Sequence, residues 1–111
     1  MSSETNIVGI DVNGLSGRYA TALYDLADRD SSLDAVADDL RQLRQMMASN
    51  DELRRMIRSP VISRSNQSEA LRVILAKSGA STLTINFIGV VASNRRLFAI
   101  FDIIKDYLKI L

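Results

Sequence analysis

From Leu15 onward, apolar side chains recur at intervals of three and four residues in successive blocks, separated by short polar breaks. A period near 3.6 residues specifies helices with one or more apolar faces, and such elements stabilise one another by packing helix on helix. Alternation with a period of two, the mark of a half-buried strand, is absent. This restricts the chain to an all-α architecture before any other property is weighed.

The breaks place the helices. Residues 1–12 have no sustained periodicity, so 1–13 reads as a flexible arm. Leu15, Tyr19, Ala22, Leu23 and Leu26 start a first helix, with Ala20 and Ala27 beside them. Asp28 to Asp30 interrupts the pattern. Ser31-x-x-Asp34 then resembles a capping box, in which a hydroxyl accepts from free backbone N–H groups. Leu33, Val36, Ala37, Leu40, Leu43 and Met47 form the stripe of a second helix, opposite a charged face of Asp38, Asp39, Arg41 and Arg44. Ser49-x-x-Glu52 marks a short third helix ending near Arg58, because the residue before Pro60 avoids helical angles. Ser63 caps a fourth helix with Ala70, Leu71, Ile74 and Leu75 inward. Lys77-Ser78-Gly79 closes it: a cation at the negative end of the helix dipole, then a residue free to adopt positive φ. Ser81 or Thr82 opens a fifth helix to about Ser93, and Leu97 to Leu111 forms a sixth. Segments 83–91 and 98–104 are β-branched enough to compete as strands, but their lengths and caps favour helix. The expectation is a compact six-helix bundle over 14–111.

Composition narrows the chemistry. The 111 residues include no Cys and no His. That removes thiolate nucleophiles, disulfides, the commonest general base and the commonest transition-metal ligand. GLSG at 14–17 lacks both the spacing and the lysine of a phosphate loop. The pairs Asp28/Asp30, Asp38/Asp39 and Asp51/Glu52 fall at helix ends or on a polar face and read as solvated charges. No catalytic residue, cofactor or metal site is assigned. The start MSSETNIVGIDVNG has neither a basic n-region nor a long apolar h-region, and no run reaches the ~20 apolar residues of a membrane span.

Charge is uneven. Residues 1–52 carry 10 acids and 4 bases, and residues 53–111 carry 3 acids and 10 bases. Mutual attraction of the two halves in the fold is the simplest expectation. Arg54, Arg55, Arg58, Arg64 and Arg72 would serve a nucleic-acid-binding bundle, the alternative function; no aromatic residue interleaves with Arg54, Arg55 and Arg58 to offer a stacking platform.

Two helices are more apolar than one core requires. The first has stripes Leu15/Tyr19/Ala22/Leu26 and Ala20/Leu23/Tyr24/Ala27, leaving one polar sector with Arg18, Thr21, Asp25, Asp28 and Arg29. The fifth has Leu83/Phe87/Val90 and Thr84/Ile88/Val91, with Ile85 and Ala92 beyond. A surface helix needs an apolar stripe of only ~100°. Either both helices are central and buried all round, or they form a groove for a partner helix. Periodicity leaves the two evenly balanced.

The segment GRYATALYDLA, residues 17–27, resembles the opening helix of the rotary ATP synthase delta subunit family, whose mitochondrial relative is the oligomycin-sensitivity-conferring protein. Ser59-Pro60-Val61-Ile62 and ASNRRL at 92–97 agree with that family in order and spacing. The resemblance spans roughly residues 14–111. It implies a six-helix N-terminal domain of a non-catalytic stator subunit, followed in the family by a C-terminal domain absent here that engages the stalk b subunits. It implies a groove between helices one and five that binds the N-terminal helix of an alpha subunit. Tyr19, Ala22 and Val90 match groove positions by motif; Leu15, Leu26, Leu83, Asn86 and Phe87 join them by helical geometry. Ala20, Tyr24 and Ala27 are left for the core, and Arg96 for a hydrogen bond at the helix junction. The implied setting is the cytoplasmic side of a bacterial inner membrane, peripheral and without direct membrane insertion or nucleic acid.

Overall fold

The computed structural model describes residues 14–111. Among these residues lie six α-helices: α1 Leu15–Arg29, α2 Leu33–Ser49, α3 Asp51–Arg58, α4 Arg64–Lys77, α5 Thr82–Ser93 and α6 Ile100–Ile110. A single 3-10 turn, Leu97–Ala99, leads into α6, where the sequence pattern suggested one continuous helix. The expected arm 1–13 lies outside the described residues. No described helix is long and apolar enough to cross a membrane.

Several ends follow the sequence signals. Ser63 accepts from the N–H of Asn66 at 3.1 Å, and Ser81 accepts from that of Thr84 at 3.3 Å. After α4, Gly79 takes φ +83°, and the N–H of Ala80 turns back to the carbonyl of Leu75. Two capping assignments are corrected. Asn50, not Ser49, caps α3, its Oδ1 accepting from Leu53 N–H at 3.0 Å. Ser49 is the last residue of α2 and donates back to Gln45. Ser32, not Ser31, precedes α2, and its side chain makes no cap hydrogen bond. Ser31 instead takes φ 54° in the turn that closes α1, its backbone N–H donating to the carbonyl of Asp28 at 3.1 Å.

The core draws one face from every helix. Leu23, Leu40, Leu43, Leu71, Leu75, Ile88, Ile103, Ile104 and Tyr107 are fully buried in it. The most extensive packing joins α1 to α6 and α4 to α5. Gly17, Ala20 and Ala27 are the small buried residues of α1 that allow this approach. Two long-range polar contacts lock the ends. Tyr107 donates its hydroxyl to the carbonyl of Leu33 at 2.8 Å. Asp39 accepts from the N–H of Ser81 at 2.9 Å and from the Thr84 hydroxyl at 2.7 Å, so a carboxylate of α2 caps α5. Asp39 therefore leaves the solvated face assigned to it. Gln67, buried, donates to the carbonyls of Met56 and Ser59 and satisfies the end of α3.

Four ion pairs, Arg41–Asp38, Arg54–Asp51, Arg72–Glu69 and Lys105–Asp102, each lie within one helix at i,i+3. Among these pairs only Arg54–Asp51 joins the acidic half to the basic half, and it does so as near neighbours in sequence, not as a long-range contact. Short-range pairs form because residues three apart already share a helix face.

Candidate interaction groove

The first turns of α1 lie beside the last turns of α5. Tyr19 meets Phe87 edge to face, with ring centroids 6.1 Å apart and planes at 76°. Its hydroxyl accepts from the Asn94 side-chain amide at 2.9 Å. The two backbones do not pack closely, so the aromatic pair forms a floor between them. A depression of about 310 Å³ opens at the α1 end, lined by Leu15, Arg18, Tyr19, Ala22 and Arg96.

The sequence-assigned residues separate by exposure. On α1, Leu15 and Tyr19 are half-buried, Ala22 is exposed, and Leu26 keeps 43% of its surface exposed. These four fall at i, i+4, i+7 and i+11, one row along the helix. On α5, Leu83 is half-buried, Asn86 is exposed and Val90 is 51% exposed. Phe87 retains only 7% and belongs to the core as much as to the floor. The opposite row of α1 sinks inward: Ala20, Leu23 and Ala27 have no exposed surface. Tyr24 is only half-buried and leans on Tyr107, ring centroids 5.9 Å apart.

The direct contacts join Tyr19 to Phe87 and Asn94. Sequence reasoning did not assign Asn94, Arg18 or the Arg96 side chain to this region. Asn94 was legible only as a helix break, although it follows Val90 at i+4 on the same face. The backbone N–H of Arg96 donates to the carbonyl of Val91 at 2.9 Å, a bond that does not depend on the arginine side chain, which borders the depression.

The arrangement offers apolar surface with polar edges and little else. Among the described residues no group of three or more metal-ligating side chains gathers. Three of the five arginines of the nucleic-acid alternative are engaged by groups of the domain itself, while Arg55 and Arg58 stay exposed. Arg54 donates to the carbonyls of Met47 and Ala48 and pairs with Asp51. Arg64 donates to the carbonyl of Ser93 at 3.1 Å. Arg72 pairs with Glu69, and that hydrogen bond holds the Glu69 carboxyl below the usual carboxylate range.

The fold defines an all-α six-helix domain with an apolar, polar-edged depression on one side. The chain belongs to the ATP synthase delta (OSCP) subunit family, whose model matches residues 15–111. It is 49% identical over 100 residues to the ATP synthase subunit delta of Rhodospirillum centenum, covering 90% of this chain and 54% of that protein. It is 51% identical over 96 residues to the subunit delta of Nitrobacter winogradskyi, covering 86% and 52%. The chain thus spans about half the length of these relatives. The fold also matches a chain in the cryo-EM structure of the Polytomella F-ATP synthase, with TM-score 0.79, 27% identity, and 90% and 88% of the two chains covered.

Proposed function

We propose that this domain is a non-catalytic element of the F-ATP synthase stator, and that its α1–α5 groove seats the amphipathic N-terminal helix of an alpha subunit. Family membership supports the stator role. The observation that carries the groove is the partly exposed apolar row of α1 beside the Tyr19–Phe87 floor. Leu15 to Leu26 spans about 16 Å of helix, a match for three turns of a partner. Three or four apolar anchors would bury several hundred Å², worth several kcal/mol at ~25 cal/mol per Å² before entropic costs. Arg18, Asn86 and Arg96 stand at the polar edge, where they would set register.

The domain does no chemistry in this reading. It holds the catalytic hexamer against rotation, so that turning the central stalk performs work on the hexamer instead of spinning it. Engagement of the stalk b subunits falls to the C-terminal half of the longer relatives. The complex is placed at the bacterial inner membrane with this domain peripheral, in keeping with the bacterial sources of its relatives.

The test is a titration of isotope-labelled protein with a synthetic peptide of the first ~20 residues of the cognate alpha subunit, about 30 Å if helical. Amide shifts concentrated at 19–26 and 83–90, with little dependence on salt, are expected. A folded spectrum that does not move at millimolar peptide would sink the groove assignment. Binding lost steeply with salt would point instead to a polyanion.

A further inference from the structure

A second cleft lies where α3 meets the start of α6, and it shares no lining residue with the groove. Arg96 borders the groove, whereas its neighbour Arg95 stands at the edge of this second region. The cleft holds about 190 Å³, room for one large apolar side chain and too small for a cofactor. Met47, Ile57, Leu97 and Ile100 form its buried floor. Phe98 and Phe101 stand at its rim with 69% and 53% of their surface exposed. Single exposed apolar residues are ordinary, but two neighbouring phenylalanines over an apolar floor form a patch.

The charge around the cleft is one-sided. Arg54 also lines it, but its guanidinium is held by the Met47 and Ala48 carbonyls and Asp51. Arg95 is tied to the carbonyl of Ile62 at 3.1 Å. Arg55 and Arg58 are exposed and have no acidic partner among the described residues. Arg58 lines the apolar cleft and also the adjoining hollow that contains Arg55, where the one acidic lining residue, Asp51, is paired with Arg54. Two available guanidinium groups beside an apolar socket suit a segment with one or two carboxylates flanking a bulky anchor. They are too few to track the regularly spaced phosphates of a nucleic-acid strand.

We propose that the Phe98–Phe101–Arg58 cleft is a second docking site, and that it takes an acidic amphipathic segment of a partner polypeptide. Phe98 and Phe101 clasp the apolar anchor against Leu97 and Ile57. Arg55 and Arg58 pair with the carboxylates beside that anchor, which sets direction and excludes basic segments.

The probe is a synthetic amphipathic helix of about 14 residues, about 21 Å long, with Leu and Phe on one face and Glu on the other. Its control carries Lys at every Glu position. Amides at 53–59 and 97–101 are expected to shift with the acidic peptide. Phe98→Ala and Arg58→Glu should each weaken those shifts about tenfold, the size of effect a central anchor or a close charge pair carries. The basic peptide should bind about tenfold more weakly and gain on Arg58→Glu. Both side chains are exposed, so the variants keep the fold, which amide dispersion verifies. Equal binding of both peptides, shifts confined to α1 and α5, or no shifts at millimolar peptide would overturn the proposal. So would tighter binding of a single-stranded oligonucleotide at the same amides. Shifts confined to α1 and α5 would put the acidic peptide in the other groove; the remaining outcomes leave that groove untouched, because it is read out separately with the alpha-subunit peptide.

Discussion

Ala22→Asp separates folding from docking on one helix. Ala22 is exposed in the row Leu15, Tyr19, Ala22 and Leu26, so an aspartate there meets water in the free domain. Its cost to stability is the difference in helix propensity, about 0.6 kcal/mol. A partner helix seated across Tyr19 and Leu26 would strip water from that carboxylate, and Arg18 one turn back and Arg96 at the rim would offset only part of the loss. The desolvation cost is about 3 kcal/mol or more, so the peptide affinity should fall by about a hundredfold or more. Two residues away, Ala20 has no exposed surface and packs inward. Ala20→Asp places the same charge in the core, and a loss of about 4 kcal/mol is expected there, a large part of the total stability of such a domain. The assay is thermal unfolding by circular dichroism together with calorimetric titration of the alpha-subunit peptide. An Ala22→Asp variant that melts like the parent and binds the peptide undiminished would refute the placement of the groove. An Ala20→Asp variant that stays fully stable would refute the sidedness of α1.

Three further outcomes follow from particular contacts. Asp39→Ala removes both acceptor bonds at the start of α5 and should cost about 1–3 kcal/mol, read as a lowered denaturant midpoint with faster amide exchange at 81–85. The Tyr107 hydroxyl is pushed up to about 12 by burial and by the neighbouring Tyr24 and Asp34. Its contribution is complete below pH ~10 and is lost as pH rises toward 12, so stability should fall by up to about 3 kcal/mol in that window, less in Tyr107→Phe. Gly79→Ala meets no atom within 4 Å but must hold φ +83°, so a loss of about 1 kcal/mol from backbone strain alone is expected, measurable as a shift in Tm.

The helices were legible because their signals are local. Ser63, Ser81 and Gly79 act on backbone groups within a few residues, and their sequence positions suffice to locate the ends of α4 and α5. The two displaced caps show the limit of that reading. Ser49 and Asn50 are both competent, and the choice between them depends on whether the chain prolongs α2 by one residue. Ser31 and Ser32 present the same choice, decided by a positive φ at Ser31 that no side-chain preference announces.

Part of the candidate groove was legible for the same reason. Leu15, Tyr19, Ala22 and Leu26 form a row by helical geometry alone, as do Leu83, Phe87 and Val90. Periodicity could not decide between a buried helix and a grooved one, because both require the same apolar residues. That choice depends on which row of α1 faces α6, and α6 is some 80 residues away in sequence. Asp39 carried the identical ambiguity. As one of two adjacent aspartates it looked solvated, and only the approach of α5 made it a cap.

The sequence by itself therefore determined the number, approximate extent and polarity of the helices, the absence of His and Cys chemistry, and the family resemblance. Those properties depend on residue identity and spacing within a few turns. Tertiary structure alone decided that Tyr24 is only half-buried, that Tyr19 bridges Phe87 and Asn94, and that Phe98 and Phe101 gather over α3 beside Arg58. Each is set by how distant apolar faces exclude water from one another, a nonlocal competition that no single segment encodes.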